Sequence, residues 1–152
     1  KSKAGKIPPI NSVLSFQHQG LIHRLQEKEG MNTGEAEMLF NDLLKFLYLC
    51  GTQSEVLAPS EKIDTAWHHF ILFTMDYQNF CHKFFGKFIH HCPRLPDEKP
   101  EGRPFVTMRQ KAREVFGDNL SANWGTAEQL SGECNDSCKP STNCQDRDCH
   151  DS

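Results

Sequence analysis

The stretch SEKIDTAWHHFILFTMDYQNFC (residues 60–81) decides the fold class, because its core-type side chains recur at spacings of three and four. They form one continuous stripe: Ile63, Trp67, Phe70, Thr74, Tyr77 and Cys81. This period is that of an α-helix with one buried face. Ser60 can cap the first turn, and Glu61 suits the positive end of the helix. The sequence therefore predicts a helix that begins at Ser60.

The same period appears in three other stretches, which predict helices over residues 12–30, 33–51 and 103–117. Thr33 is the predicted cap of the second of these, and Gly51 its predicted stop. No stretch alternates in the way that predicts a strand. The expected fold is all-α, a single irregular helical bundle of four or more helices spanning residues 8–125.

Residues 126–152 differ in kind and are expected to form a polar, Cys-rich C-terminal tail. From Ser131 onward no large apolar residue occurs, and five acidic residues face two basic ones. Such a composition cannot offset the entropy of ordering unless its thiols are linked or bind a metal. The tail is therefore predicted to be either flexible or clipped by a metal ion.

Composition and charge limit which classes of partner and which cellular compartment we expect. The formal net charge is -3, and no basic stripe of the kind that binds phosphates occurs. No apolar run approaches the roughly 18 residues that span a bilayer. Seven cysteines without a recognisable signal peptide favour thiols or metal ligands over a disulfide framework. We therefore expect a cytoplasmic protein that binds neither nucleic acid nor membranes.

Asp64 and His68 are four residues apart in the predicted helix, so their side chains lie on one side of it. A carboxylate and an imidazole one turn apart can bind one divalent cation, or the carboxylate can orient the imidazole by accepting its N–H. The alternative is structural, with Asp64 a first-turn acid and His68 a half-buried ring. His69 is expected to point to water.

A second histidine pair, His90 and His91, lies near the end of the segment FGKFIHHCP (residues 85–93). In one straight helix these histidines would lie roughly 33 Å from His68, too far to share an ion. Gly86 offers a break, and a turn there would send the pair back along the helix that carries His68. The predicted metal site then contains Asp64, His68 and either His90 or His91, with Cys92 as a softer substitute.

The order of residues from the third helix onward resembles that of the glycine-rich domain-containing-like family. The resemblance covers about residues 60–124 and lacks the glycine-rich region that names the family. Its matching positions are Asp64, Trp67, His68, Thr74, Tyr77, Gly86, His90, His91, Phe116, Gly117 and Trp124. The resemblance implies a helical fold with a polar site around His68, but no reaction.

The tail carries a second, weaker set of candidate metal ligands: Cys134, Cys138, Cys144, Cys149 and His150. The two cysteine pairs have three and four intervening residues, close to zinc-site spacing. Only five residues separate the pairs, where a zinc finger or ribbon normally has a dozen or more. Disordered thiols, a metal clip and disulfides all remain open.

Two functions follow from these patterns. The sequence lacks the short signatures of zinc proteases, serine hydrolases, phosphate-binding loops and haem attachment. The first function is a small metal-binding protein using Zn or Fe, or a metal-dependent enzyme with Tyr77 as a supporting or acid/base group. The second is a non-catalytic protein-interaction module in which the His/Asp cluster is a hydrogen-bond network. The expected partner is another protein or a small-molecule substrate.

Overall fold

The structure is a computed structural model that describes residues 7–91 and 102–126. In chain order its elements are α1 (Ile10–Leu14), α2 (Gln19–Glu29), α3 (Thr33–Thr52), α4 (Glu61–Ile71), α5 (Thr74–Phe85), α6 (Arg103–Phe116) and a 3-10 turn (Ala122–Trp124). Six helices and no strand in these residues confirm the predicted all-α bundle. No helix in the same ranges is both long and apolar enough to cross a membrane.

The centre of the bundle is α3, which contacts α1, α2, α4, α6 and the 3-10 turn. Its start is fixed by Asn32, one residue before the predicted cap. The Asn32 side chain accepts the Glu35 backbone N–H, and the Glu35 carboxylate accepts the Asn32 N–H. This capping box satisfies two backbone donors that the first helical turn would leave without partners.

The predicted helix over residues 12–30 is wrong in one respect, because it is divided into α1 and α2. Two side chains stabilise this break, and neither of them is a recognised helix-breaking signal in the sequence. His18 caps α2, its Nδ1 accepting the Leu21 backbone N–H at 2.9 Å. The Phe16 ring turns into the core and packs on Phe80 at a centroid distance of 4.9 Å.

The stripe over residues 60–81 is likewise divided, into α4 and α5, although Ser60 caps the first of them as predicted. Phe73 has a non-helical ψ of 70° at the corner. The His18 ring packs edge-on against Phe73 at 4.6 Å, and its Nε2 lies 2.7 Å from an Asp76 oxygen. Because Nδ1 already accepts a hydrogen bond, Nε2–H donates to Asp76. The α1–α2 link thus holds the α4–α5 corner.

Two glycines affect α5: Gly51 makes room for its Phe85 side chain, and Gly86 ends the helix. Gly51 does not stop α3, which runs one residue further, to Thr52. A Cβ at position 51 would lie 2.4 Å from the Phe85 ring, so the absence of a side chain lets that ring lie against α3. Gly86 ends α5 with a φ of 70°, a left-handed conformation that glycine adopts without strain.

A buried carboxylate joins α3 to the 3-10 turn. Asp42 is 4% exposed and accepts three side-chain hydrogen bonds from residues about eighty positions later. Ser121 and Asn123 donate to one oxygen at 2.7 and 2.9 Å, and the Trp124 indole N–H donates to the other at 3.0 Å. Ser60 donates to the Asn123 carbonyl, so the turn also fastens the start of α4.

Candidate metal centre

The site begins on α4, whose buried face fixes where its polar side chains lie. Ile63, Ala66, Trp67 and Phe70 are buried on that helix. Asp64 and His68 therefore lie together at the margin of the core, with the Asp64 side chain 38% exposed. His68 is exposed, so its imidazole faces solvent.

The third member, His91, reaches the site because the chain reverses at the α4–α5 corner and again at Gly86. Residues 87–91, which we call the return segment, follow without helical structure. Tyr77 fixes this return, since its hydroxyl donates to the Ile89 carbonyl at 2.5 Å and accepts the Trp67 indole N–H at 2.9 Å. The two bonds bring the return segment against the face of α4 that carries Asp64.

His91 lies within contact distance of both α4 residues. Its Nε2 is 2.5 Å from Asp64 Oδ1, and its side chain is only 6% exposed. The ring packs edge-on against His68 at 4.5 Å and against Trp67 at 4.4 Å. One ligand atom each from Asp64, His68 and His91 lies within 4.8 Å of the others. The structure thus brings together three of the four residues that the sequence suggested for the main site.

His90 is the fourth, and it is not part of this group. Adjacent residues in extended chain point to opposite sides, so His90 faces away from His91. Its ring packs against Phe88 at 4.7 Å. Its Nε2 is buried and makes no hydrogen bond with any residue of the described ranges. Of the two histidines that the sequence left open, the geometry brings His91 to Asp64 and His68.

Tyr77 lies in the core beneath the site. It is 1% exposed, and burial raises the pKa of its hydroxyl well above the ordinary value of 10.0. Both hydrogen bonds of the hydroxyl are to Trp67 and Ile89, so in this state it fixes the return segment. An acid/base role for Tyr77 stays a prediction.

The sequence suggested that His69 points to water, and this prediction is wrong. Its Nδ1 accepts the Arg24 side-chain N–H at 2.8 Å, which leaves the proton on Nε2 to donate to Glu29, also at 2.8 Å. The ring is therefore a fixed bridge between α4 and α2. Sequence reading missed it because both partners are forty or more residues away.

The weaker candidate ligands of the tail, Cys134, Cys138, Cys144, Cys149 and His150, lie outside the described residues, as does Cys92. Their state remains as the sequence left it. The two cysteines of the described ranges, Cys50 and Cys81, are free thiols. Burial raises the pKa of both, so each is protonated at neutral pH.

A protein-family model described as UCP032817-like matches residues 11–102, which is more than half of the chain. This match overturns the resemblance to the glycine-rich domain-containing-like family, which was wrong. That resemblance rested on eleven separate positions after residue 60, whereas the match begins at residue 11. No curated protein and no solved structure matches the chain.

Proposed function

This chain belongs to the UCP032817-like family, and on that premise we propose that it is a metal-binding protein whose Asp64, His68 and His91 hold one divalent cation. The observation that carries the proposal is the convergence of three ligand atoms within 4.8 Å of one another. The family description names no activity, so the chemistry of these side chains is what supports the proposal.

The ligand set favours zinc or ferrous iron. Two imidazoles and one carboxylate suit both ions, while Mg²⁺ and Ca²⁺ prefer oxygen ligands alone. Bonds of about 2.0–2.2 Å would require the Asp64 and His91 ligand atoms to separate from 2.5 Å, with the ion replacing the hydrogen bond between them. His68 is exposed and can change rotamer to complete the set.

Three protein ligands leave at least one coordination position for water or another molecule. Structural zinc sites usually have four protein ligands, whereas catalytic sites keep a position open. This count supports a metal-dependent reaction at the surface of α4, with a small molecule or a side chain of another protein as the added ligand. In such a reaction the ion would act as a Lewis acid or activate its bound water.

Metal analysis of the full chain, purified without a histidine tag, tests the proposal. We expect one Zn or Fe per chain at the main site, confirmed by calorimetric titration of the apo protein with Zn²⁺. His68→Ala removes one ligand and should weaken binding by more than the roughly 10–100-fold that loss of a supporting hydrogen bond costs.

His82→Ala is the matched control, because His82 is also an exposed helical histidine but lies on α5, outside the cluster. It should bind Zn²⁺ as the wild type does. Equal binding by wild type and His68→Ala would show that the ion is held elsewhere, and the proposal would be wrong.

The second candidate is a protein-interaction module in which the cluster has a structural role only. The bond between His91 and Asp64 supports it, since that contact joins the return segment to α4 without any ion. Asp64→Ala should then cost about 1–3 kcal/mol by leaving the buried His91 ring unpaired. Purified protein without a stoichiometric ion, together with that loss, would favour this function.

A further inference from the structure

The return segment, residues 87–91, is held to the bundle mainly by side chains. Among the described residues, no hydrogen bond between backbone groups joins it to any helix. Its contacts include the Tyr77 hydroxyl on the Ile89 carbonyl, the buried Ile89 side chain, and the His91–Asp64 bond. The Phe88 ring also packs on Tyr77, and the His91 ring on Trp67 and His68. A segment without backbone hydrogen bonds to the helices can open locally, at a free-energy cost below that of global unfolding.

Beneath this segment lies the thiol of Cys81. The residue is 0% exposed and lies on α5 one turn after Tyr77, on the same buried face of that helix. The Tyr77 hydroxyl donates to the Ile89 carbonyl, so the return segment covers this face of α5. Release of residues 87–91 would therefore uncover Cys81 without unfolding the helices.

Two of the three candidate metal ligands lie on α4, and the third is the last residue of this segment. An ion bound to all three would connect the segment to α4, and release of the segment would break a metal–ligand bond. A ligand that binds only the closed state stabilises it by a factor of one plus the ratio of free ligand to Kd.

From this arrangement we propose a regulatory role for the divalent cation. By binding both elements, it holds residues 87–91 on α4 and so controls access to the Cys81 thiol. The inference rests on the proposed metal site and adds its regulatory consequence. The reactivity of a buried thiol then depends on the concentration of free metal.

Alkylation of Cys81 by iodoacetamide, followed by mass spectrometry of the peptide that contains it, measures the opening. The full chain is labelled without metal and with free Zn²⁺ at 100 times the calorimetric Kd. We expect zinc to slow the labelling of Cys81 about 100-fold in wild type and in His82→Ala. His68→Ala should label at the zinc-free wild-type rate under both conditions.

The outcomes distinguish this regulatory role from the metal site itself. If zinc binds but leaves the alkylation rate of Cys81 unchanged, the regulatory role is wrong and the proposed function stands. If zinc slows alkylation equally in His68→Ala, the protection comes from zinc bound elsewhere, and the regulatory role is again wrong. If calorimetry detects no zinc binding, the proposed function and the regulatory role both fail.

Discussion

Replacing Asp42 by alanine is expected to lower the free energy of unfolding by about 3 kcal/mol. The magnitude follows from its three donors. The Trp124 indole is fully buried, so its N–H would lose its partner without access to water, at a cost of about 1–3 kcal/mol. Ser121 and Asn123 are half-buried and can recover water, so each should contribute about 0.5–1.5 kcal/mol.

The isosteric change Asp42→Asn separates hydrogen bonding from packing. The new amide oxygen can still accept the Trp124 N–H, and the Ser121 hydroxyl can reverse to become an acceptor. The amide NH₂ would then face the NH₂ of Asn123, so one of the three bonds is lost. We expect a cost of about 1–2 kcal/mol, smaller than that of alanine.

Urea unfolding followed by circular dichroism measures both variants, with the m-value checked for constancy. Glu37→Ala is the control, because Glu37 is an exposed acid beyond the first turn of the same helix. It should change stability by no more than about 0.5 kcal/mol. If Asp42→Ala matched this control, the carboxylate cluster would contribute no net stability and the reasoning would be refuted.

The remaining predictions are also measured by urea unfolding. Gly51→Ala should destabilise by about 1 kcal/mol, since overpacking against Phe85 outweighs the gain in helix propensity; in a Phe85→Ala background the same change should stabilise. Asn32→Ala removes the helix cap and should cost about 1 kcal/mol, whereas Asn32→Asp should restore most of it. Burial raises the pKa of the Cys81 thiol above 9.0, so only the unfolded thiol ionises as the pH rises past that value. Stability should then fall by about 1.4 kcal/mol per pH unit, and Cys81→Ala should remove that thiol's share; an unchanged slope would contradict the burial of the thiol.

Local signals in the sequence were enough for the helices but not for the two corners. Ser60 is a common helix cap and Gly117 a common helix stop. As these residues predict, α4 begins after Ser60 and α6 ends before Gly117. The break at Phe73 has no such signal, because apolar residues at helical spacing run through it. It is held by His18, more than fifty residues earlier, whose ring packs on Phe73 and whose Nε2 contacts Asp76, and no local pattern contains that information.

The candidate site shows the same division. The pairing of Asp64 with His68 follows from helical geometry alone. The choice between His90 and His91 depended on which side of an extended segment faces α4, which the Tyr77–Ile89 bond decides. Asp42 was missed entirely, because a single acid in an apolar helix gives no sign that three donors will surround it.

The dependence of Asp42 on residues 121–124 has a consequence for the order of events during synthesis. A ribosome adds residues from the N-terminal end, so α3 and α4 leave the exit tunnel while the partners of Asp42 are still to be made. Until then the carboxylate must stay in water, which opposes close packing of α3, and Ser60 lacks its contact with Asn123. Closing a loop of about eighty residues also carries an entropic cost that earlier contacts do not share. The nascent chain should therefore acquire its stable core late, in one step, when Trp124 becomes available to α3.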